Sequence, residues 1–289
     1  MLKGSIVALI TPFKDDSLDE ENYIKLIDYH LENGTNGIVP GGTTGESPTL
    51  SHNEHKKIIE ISVKECNSKI PVVAGTGSNS TDEAIELSKF AEKAGSDAIL
   101  VVTPYYNKPT QEGLYQHYKK INDNVGIPII IYNIPSRSVI DMSVETMTKL
   151  YELKNIIGVK DATGDLKRVE LQKKSMGKDF IQLTGNDDNA LEFNKLGGVG
   201  AIGVTANIAA QLSSEFQKAC VDDKNKAEEL NKILQPLHEA MFIESNPSPV
   251  KYAASLLNMC NAQVRLPLVE VKNTSKKIIS DALKVAKLL

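Results

Sequence analysis

The sequence predicts a (β/α)8 barrel followed by an α-helical extension. Two textures alternate along its 289 residues, and they carry this reading. One is a short apolar run rich in Val and Ile: SIVALI, GIVP, PVVAGT, DAILVV, IPIIIYN, IIGVKD, FIQLTG and GVGAIGV. The other is a longer amphipathic stretch, so each pair of runs is about thirty residues apart, the length of a βαβ unit. The apolar runs are nearly continuous in hydrophobicity, which suits parallel strands covered on both faces.

The helical stretches fall at 20–33, 51–66, 81–94, 111–123, 144–153, 166–174, 188–196 and 208–220. Gly34, Gly95 and Gly126 follow helices, Pro71 and Pro128 open strands, and Ser51 is placed to cap a helix. Eight strands alternating with eight helices read as a closed TIM barrel. An open doubly wound sheet would usually carry a GxGxxG turn after its first strand, but here that strand leads into TPFKDD. Beyond about residue 221 the strand signal stops and charged helical segments follow. The expected division is a barrel over 1–224 and a helical extension over 225–289.

Composition narrows the function. A net charge of −4 gives neither a nucleic-acid footprint nor a polybasic membrane signal. The three cysteines, Cys66, Cys220 and Cys260, lack metal-ligand spacing and read as buried, reduced thiols. The N-terminal MLKGSIVALITPF has too short an apolar run for a signal peptide, and no stretch of about 18 apolar residues exists. A cytoplasmic protein is expected.

In such barrels the site forms at the C-terminal strand ends. Here these read PGGTTGES, AGTGSNST, TPYYNKPT, YNIPSR, KDATGD, TGNDD and GVTAN, which are polar and hydroxyl-rich. The opposite loops, such as ENGTN and LKN, read as plain surface. Lys160 ends strand six. An amine in a dry barrel mouth attacks carbonyls when uncharged, and burial favours a lysine's uncharged form. The plain alternative is a lysine paired with Asp161. Lys108 is a loop residue expected in solvent. Tyr132, Tyr105 and Tyr106 could relay protons or form an aromatic lid. Thr43 and Thr44 could bind a carboxylate or simply make a glycine turn. Arg137 offers a fork for a carboxylate, or is a surface arginine. Asp187 and Asp188 are expected to cap the next helix. No metal ligand set and no cofactor are expected. Together the rim suits imine-based aldol chemistry on a small oxo-acid. A non-catalytic keto-acid sensor and a metal-dependent aldolase are the rivals.

GGTTGES, AGTGSN, TPYYNKPTQEG, YNIPSR, GVKDATGD, TGNDD and GAIGVTAN together resemble the dihydrodipicolinate (4-hydroxy-tetrahydrodipicolinate) synthase family, from first strand to last helix. That family lies in the pyruvate-dependent lyase superfamily with N-acetylneuraminate lyase. The resemblance implies that Lys160 forms a Schiff base with pyruvate and that Tyr132, Thr44 and Tyr106 relay protons, Tyr106 reaching a neighbouring subunit. It implies that Thr43 and Thr44 bind the pyruvate carboxylate and Arg137 that of aspartate semialdehyde. Gly185 and Ile202 would line the site through their backbone. The product would be a precursor of lysine and diaminopimelate. A sialic-acid-lyase-like or sugar-acid aldolase is the alternative; the arginine of YNIPSR belongs to the synthases. Some members bind lysine as a feedback inhibitor, and the corresponding positions here are Ser47, Pro48, His52, His55, Asn79, Glu83 and Tyr105. Pro48 stands where a small residue is common. The family implies a homo-oligomer, commonly a dimer of dimers.

Overall fold

The computed structural model describes residues 2–289. Eight parallel strands form the sheet: β1 Gly4–Ala8, β2 Gly37–Val39, β3 Val73–Gly75, β4 Ala98–Val102, β5 Ile129–Asn133, β6 Ile156–Asp161, β7 Ile181–Thr184 and β8 Gly200–Gly203. Their order is β2-β1-β8-β7-β6-β5-β4-β3. A parallel bridge between Ile38 and Val72 brings the two end strands together. Ile38 N donates to Pro71 O at 3.0 Å and Gly75 N to Pro40 O at 2.8 Å across that seam. The predicted barrel is therefore the observed one.

Strand alternation divides the core. Ile6, Val39, Val73, Leu100, Ile130, Leu183 and Ile202 fill the barrel interior. Ile99, Val101, Ile129, Ile131 and Val159 face outward and pack under the surrounding helices. That two-sided burial explains the unbroken apolar runs.

The connecting helices include α1 Glu20–Glu32, α2 His52–Cys66, α3 Thr81–Ala94 and α4 Gln111–Asn122. After β5 come a four-residue turn of helix, α5 Pro135–Ser138, and then α6 Val144–Tyr151. They are followed by α7 Lys167–Met176, α8 Ala190–Lys195 and α9 Ala210–Asp222. Ser51 caps α2 as expected, in a reciprocal box: its Oγ accepts from Glu54 N at 3.2 Å, and its N–H donates to Glu54 Oε2 at 2.9 Å.

Three further helices follow: α10 Lys224–Met241, α11 Ser248–Leu256 and α12 Asn273–Val285. Leu230, Leu234, Met241, Val250 and Leu283 share one apolar cluster with Leu9, Ile10, Phe13 and Tyr23 of the first barrel unit. The extension is thus seated on the barrel. No helix among the described residues is long and apolar enough to cross a membrane. Cys66 and Cys260 are buried free thiols, and burial pushes them up to about 12 and about 11. Cys220 departs from expectation: it is a free thiol but only half-buried, on the last turns of α9.

Burial also holds histidines neutral. His30 is fully buried and pushed down to about 3, and burial takes His117 down to about 4. The unfolded chain takes up these protons near pH 6.5, whereas the folded chain refuses them until much lower pH. Stability therefore falls as pH drops below about 6.5, at roughly 1.4 kcal/mol per pH unit for His30 alone. Thermal unfolding at about pH 7.5 and about pH 5 checks this. A lower midpoint at the acidic pH is expected, with a shallower fall in His30→Gln; equal midpoints would contradict it.

Candidate active site

Strands β4, β5 and β6 deliver the first side chains. In register, Val102 pairs with Tyr132, Tyr132 with Lys160, and Asn133 with Asp161. Tyr132 and Lys160 thus stand side by side, and both point inward. Lys160 is 5% exposed, and its Nζ lies 4.2 Å from the Tyr132 ring centroid. No carboxylate among the described residues lies within ion-pair distance of Lys160. A Cβ on Gly185 would sit 2.9 Å from Lys160 Cε and 2.7 Å from Ala162 Cβ. Gly185 therefore leaves the room the lysine stem occupies. Ile202 lies beside this space on β8, fully buried.

Asp161 is one residue on, so the alternation turns it outward. Its Oδ2 accepts from Arg168 Nε at 3.1 Å and Gln172 Nε2 at 2.9 Å, and its Oδ1 from Thr163 Oγ1 at 2.6 Å. The alternative pairing of Lys160 with Asp161 is thereby excluded. Arg168 Nη1 reaches Asp141 Oδ2 at 3.2 Å, and Asp141 Oδ1 accepts from Asn133 Nδ2 at 2.6 Å. The carboxylates and the arginine tie the ends of β5 and β6 together from behind.

The GGTTGES turn follows β2. Thr44 is buried, and its Oγ1 accepts from Asn246 Nδ2 at 3.0 Å. Thr43 is half-buried. Arg137, on α5, is exposed, and its Nη2 donates to Asn246 O at 3.3 Å. Asn246 thus touches both a threonine and the arginine. Its place in SNPSPVK offered no signal beyond a run of turn residues, so sequence reasoning missed it. Tyr105 is half-buried. Tyr106 is 90% exposed with φ of +70°. Lys108 is exposed, as expected.

Asp187 and Asp188 require a correction. Helix α8 starts from Asn189 without a side-chain cap. Asp187 Oδ2 instead accepts from Val204 N at 2.7 Å and Thr205 N at 2.9 Å, because β7 and β8 are neighbours and the turn after β8 comes closer. Asp188 is exposed.

A second cavity, of about 180 Å³, opens beside the turn. Ser47, Pro48, His52, His55, Glu83 and Tyr105 line it. Asn79 does not; its carbonyl accepts from Asn107 Nδ2 at 2.8 Å. Glu83 accepts from Ser78 Oγ and lies 2.8 Å from His52 Nε2, and these contacts hold its carboxyl below the usual range. Burial lowers His55, whose Nε2 lies 2.7 Å from Gly75 O.

Fold and site together define a parallel-barrel protein with an amine, phenol and hydroxyl gathered at the C-terminal mouth. The sequence matches the dihydrodipicolinate synthetase family over residues 1–286, and the chain belongs to that family. A protein of Pelagibacter ubique called 4-hydroxy-tetrahydrodipicolinate synthase is 69% identical, across the full length of both chains. The chloride-inhibited dihydrodipicolinate synthase of Acinetobacter baumannii, solved with pyruvate, has a TM-score of 0.98 at 45% identity, covering 100% of both chains. The synthase of Cyanidioschyzon merolae, solved with lysine bound, has a TM-score of 0.96 at 35% identity, covering 99% of each.

Arg168→Met would strand Asp161 as an unpaired buried charge, which costs about 3 kcal/mol or more. Urea denaturation measures it. A loss below about 1 kcal/mol, the worth of an exposed pair, would contradict the clamp.

Proposed function

We propose that this chain condenses pyruvate with L-aspartate 4-semialdehyde through an imine on Lys160, making 4-hydroxy-tetrahydrodipicolinate for lysine and diaminopimelate synthesis. The observation that carries this reading is Lys160 itself: buried in the barrel mouth, beside Tyr132 and free of any carboxylate partner among the described residues. The Pelagibacter relative's name supports this substrate pair over a sugar-acid aldolase.

Pyruvate seats its carboxylate on the Thr43–Thr44 turn. The Lys160 amine adds to the keto carbon, and water leaves to give a cationic imine. That cation acidifies the methyl group, and loss of a proton gives the enamine. Tyr132, Thr44 and Tyr106 of the partner subunit carry the protons. The enamine carbon attacks the aldehyde, whose own carboxylate Arg137 holds. The amine of the second substrate then adds to the imine carbon and expels Lys160. Gly185 and Ile202 line the pocket by their backbone.

The 90% exposure of Tyr106 supports the intersubunit role and therefore at least a dimer; we place two dimers in a tetramer. We also place the enzyme in the cytoplasm, with residues 1–224 as the barrel and 225–289 as its extension.

We further propose that free lysine binds the cavity beside the turn and inhibits. Glu83 supplies the carboxylate for a cationic amino acid there, and the lysine-bound Cyanidioschyzon structure supports the idea.

Borohydride reduction with pyruvate is expected to add the reduced keto acid to Lys160, located by peptide mass. Lys160→Ala should lose both the adduct and nearly all activity. Arg137→Ala should keep the adduct while the semialdehyde KM rises about tenfold or more. An intact, folded protein that traps no pyruvate would refute the reading. Calorimetric titration with lysine tests the second cavity: heat and inhibition are expected, both weakened in Glu83→Gln. Full activity at saturating lysine, with no heat, would refute it.

A further inference from the structure

We propose that the buried Glu46–Lys251 ion pair is the positioning device of the Thr43–Thr44 turn, through which helix α11 sets how tightly that turn holds a keto-acid carboxylate. The inference rests on the reading of Thr43–Thr44 as the carboxylate-binding turn.

Glu46 lies two residues after Thr44. Its backbone adopts φ of +56°, a left-handed conformation that costs a non-glycine residue and persists only where the surroundings impose it. The turn closes on itself through Gly45 N to Gly42 O and Glu46 N to Thr43 O, both 3.1 Å. Those bonds shape the turn but do not locate it on the barrel. The Glu46 side chain does.

Its Oε1 accepts from Lys251 Nζ at 2.6 Å, and its Oε2 accepts from Arg265 N at 3.0 Å. The side chains of Lys251 and Glu46 are 0% and 1% exposed. Lys251 Nζ also donates to Thr11 O at 2.8 Å and lies 4.2 Å from the Phe13 ring centroid. Thr11 Oγ1 completes the circuit by donating to Gly45 O at 2.8 Å. The turn is thus held between the segment after β1 and the extension.

Such a pair is a poor device for stability. Both ions lose their hydration, and apolar side chains of similar size often hold a fold as well or better. What apolar contact cannot supply is direction. Two hydrogen bonds, from Lys251 Nζ and Arg265 N, fix the carboxylate, and so the turn, more narrowly than packing alone does. The charged ends of Glu46 and Lys251 bond to each other, to Arg265 N and to Thr11 O, so both are positioning residues.

Asn246 offers a contrast. It bonds to the Thr44 side chain, and its Oδ1 is a buried acceptor with no partner among the described residues, so truncation there strands little. Asn246→Ala should remove one hydrogen bond to the threonine and leave the turn in place.

The test is the pyruvate concentration for half-maximal borohydride trapping on Lys160, at equilibrium, in Glu46→Gln/Lys251→Met and in Asn246→Ala. The double change removes both charges together. It should unfold cooperatively and reach full trapping, but need about tenfold more pyruvate or beyond, with the semialdehyde KM little changed. Asn246→Ala should stay within about threefold of the parent. A folded double variant with the parental half-trapping concentration would overturn the proposal. If the double variant does not fold, Asn246→Ala decides: a tenfold rise there would move the anchoring to Asn246 and overturn it, and a parental value would support it. Failure of the parent protein to trap pyruvate would overturn the keto-acid reading itself, and this inference with it.

Discussion

The register between β5 and β6 is the constraint on which the rest of the site depends. Tyr132 is paired with Lys160 and Asn133 with Asp161. Side chains alternate across a strand, so a slip of one residue would exchange the two pairs. The lysine would then face the helices and the aspartate the barrel mouth. Apolar neighbours on both faces of β6 do little to prevent such a slip by themselves. The outward clamp of Asp161, Arg168, Asp141 and Asn133 does, because its hydrogen bonds are satisfied in one register only.

A barrel mouth is built from eight separate loops, each of which must be placed against the others. Backbone pairing sets the strand ends but not the loops. Here the loops are linked by buried polar contacts. Asp187 reaches from β7 to the turn after β8. Asn246 links Thr44 with Arg137, and Glu46 links the glycine turn to Lys251 and Arg265. These groups are costly to bury and individually add little net stability. Their common property is geometric: each ties one loop of the mouth to another segment of the chain.

The architecture was readable in the chain. Eight Val- and Ile-rich runs separated by amphipathic stretches place the strands and helices to within a few residues, since period and length are local properties. Ser51 announced its cap for the same reason. Strand-end positions also exposed Lys160 and Tyr132, since a polar residue ending an apolar run is conspicuous. Asp187 was misread because helix capping is the nearest local explanation for an acidic residue before a helix. Its actual partners, Val204 and Thr205, are neighbours only across the sheet.

By itself, then, the sequence determined the barrel, the extension, the cluster of reactive types at one rim and, through its motifs, the family. Only the tertiary structure decided that Asp161 belongs to Arg168 and leaves Lys160 without a carboxylate partner among the described residues. It alone brought Asn246 to Thr44 and Lys251 to Glu46, across separations of about two hundred residues. The physical reason is that periodicity reports which face of an element is buried, whereas a hydrogen bond between distant segments depends on where folding sets them. Lys251 illustrates the difference: in the sequence it is one lysine in SPVKYAASL, and in the fold it is fully buried because a carboxylate, a carbonyl and an aromatic face converge on it.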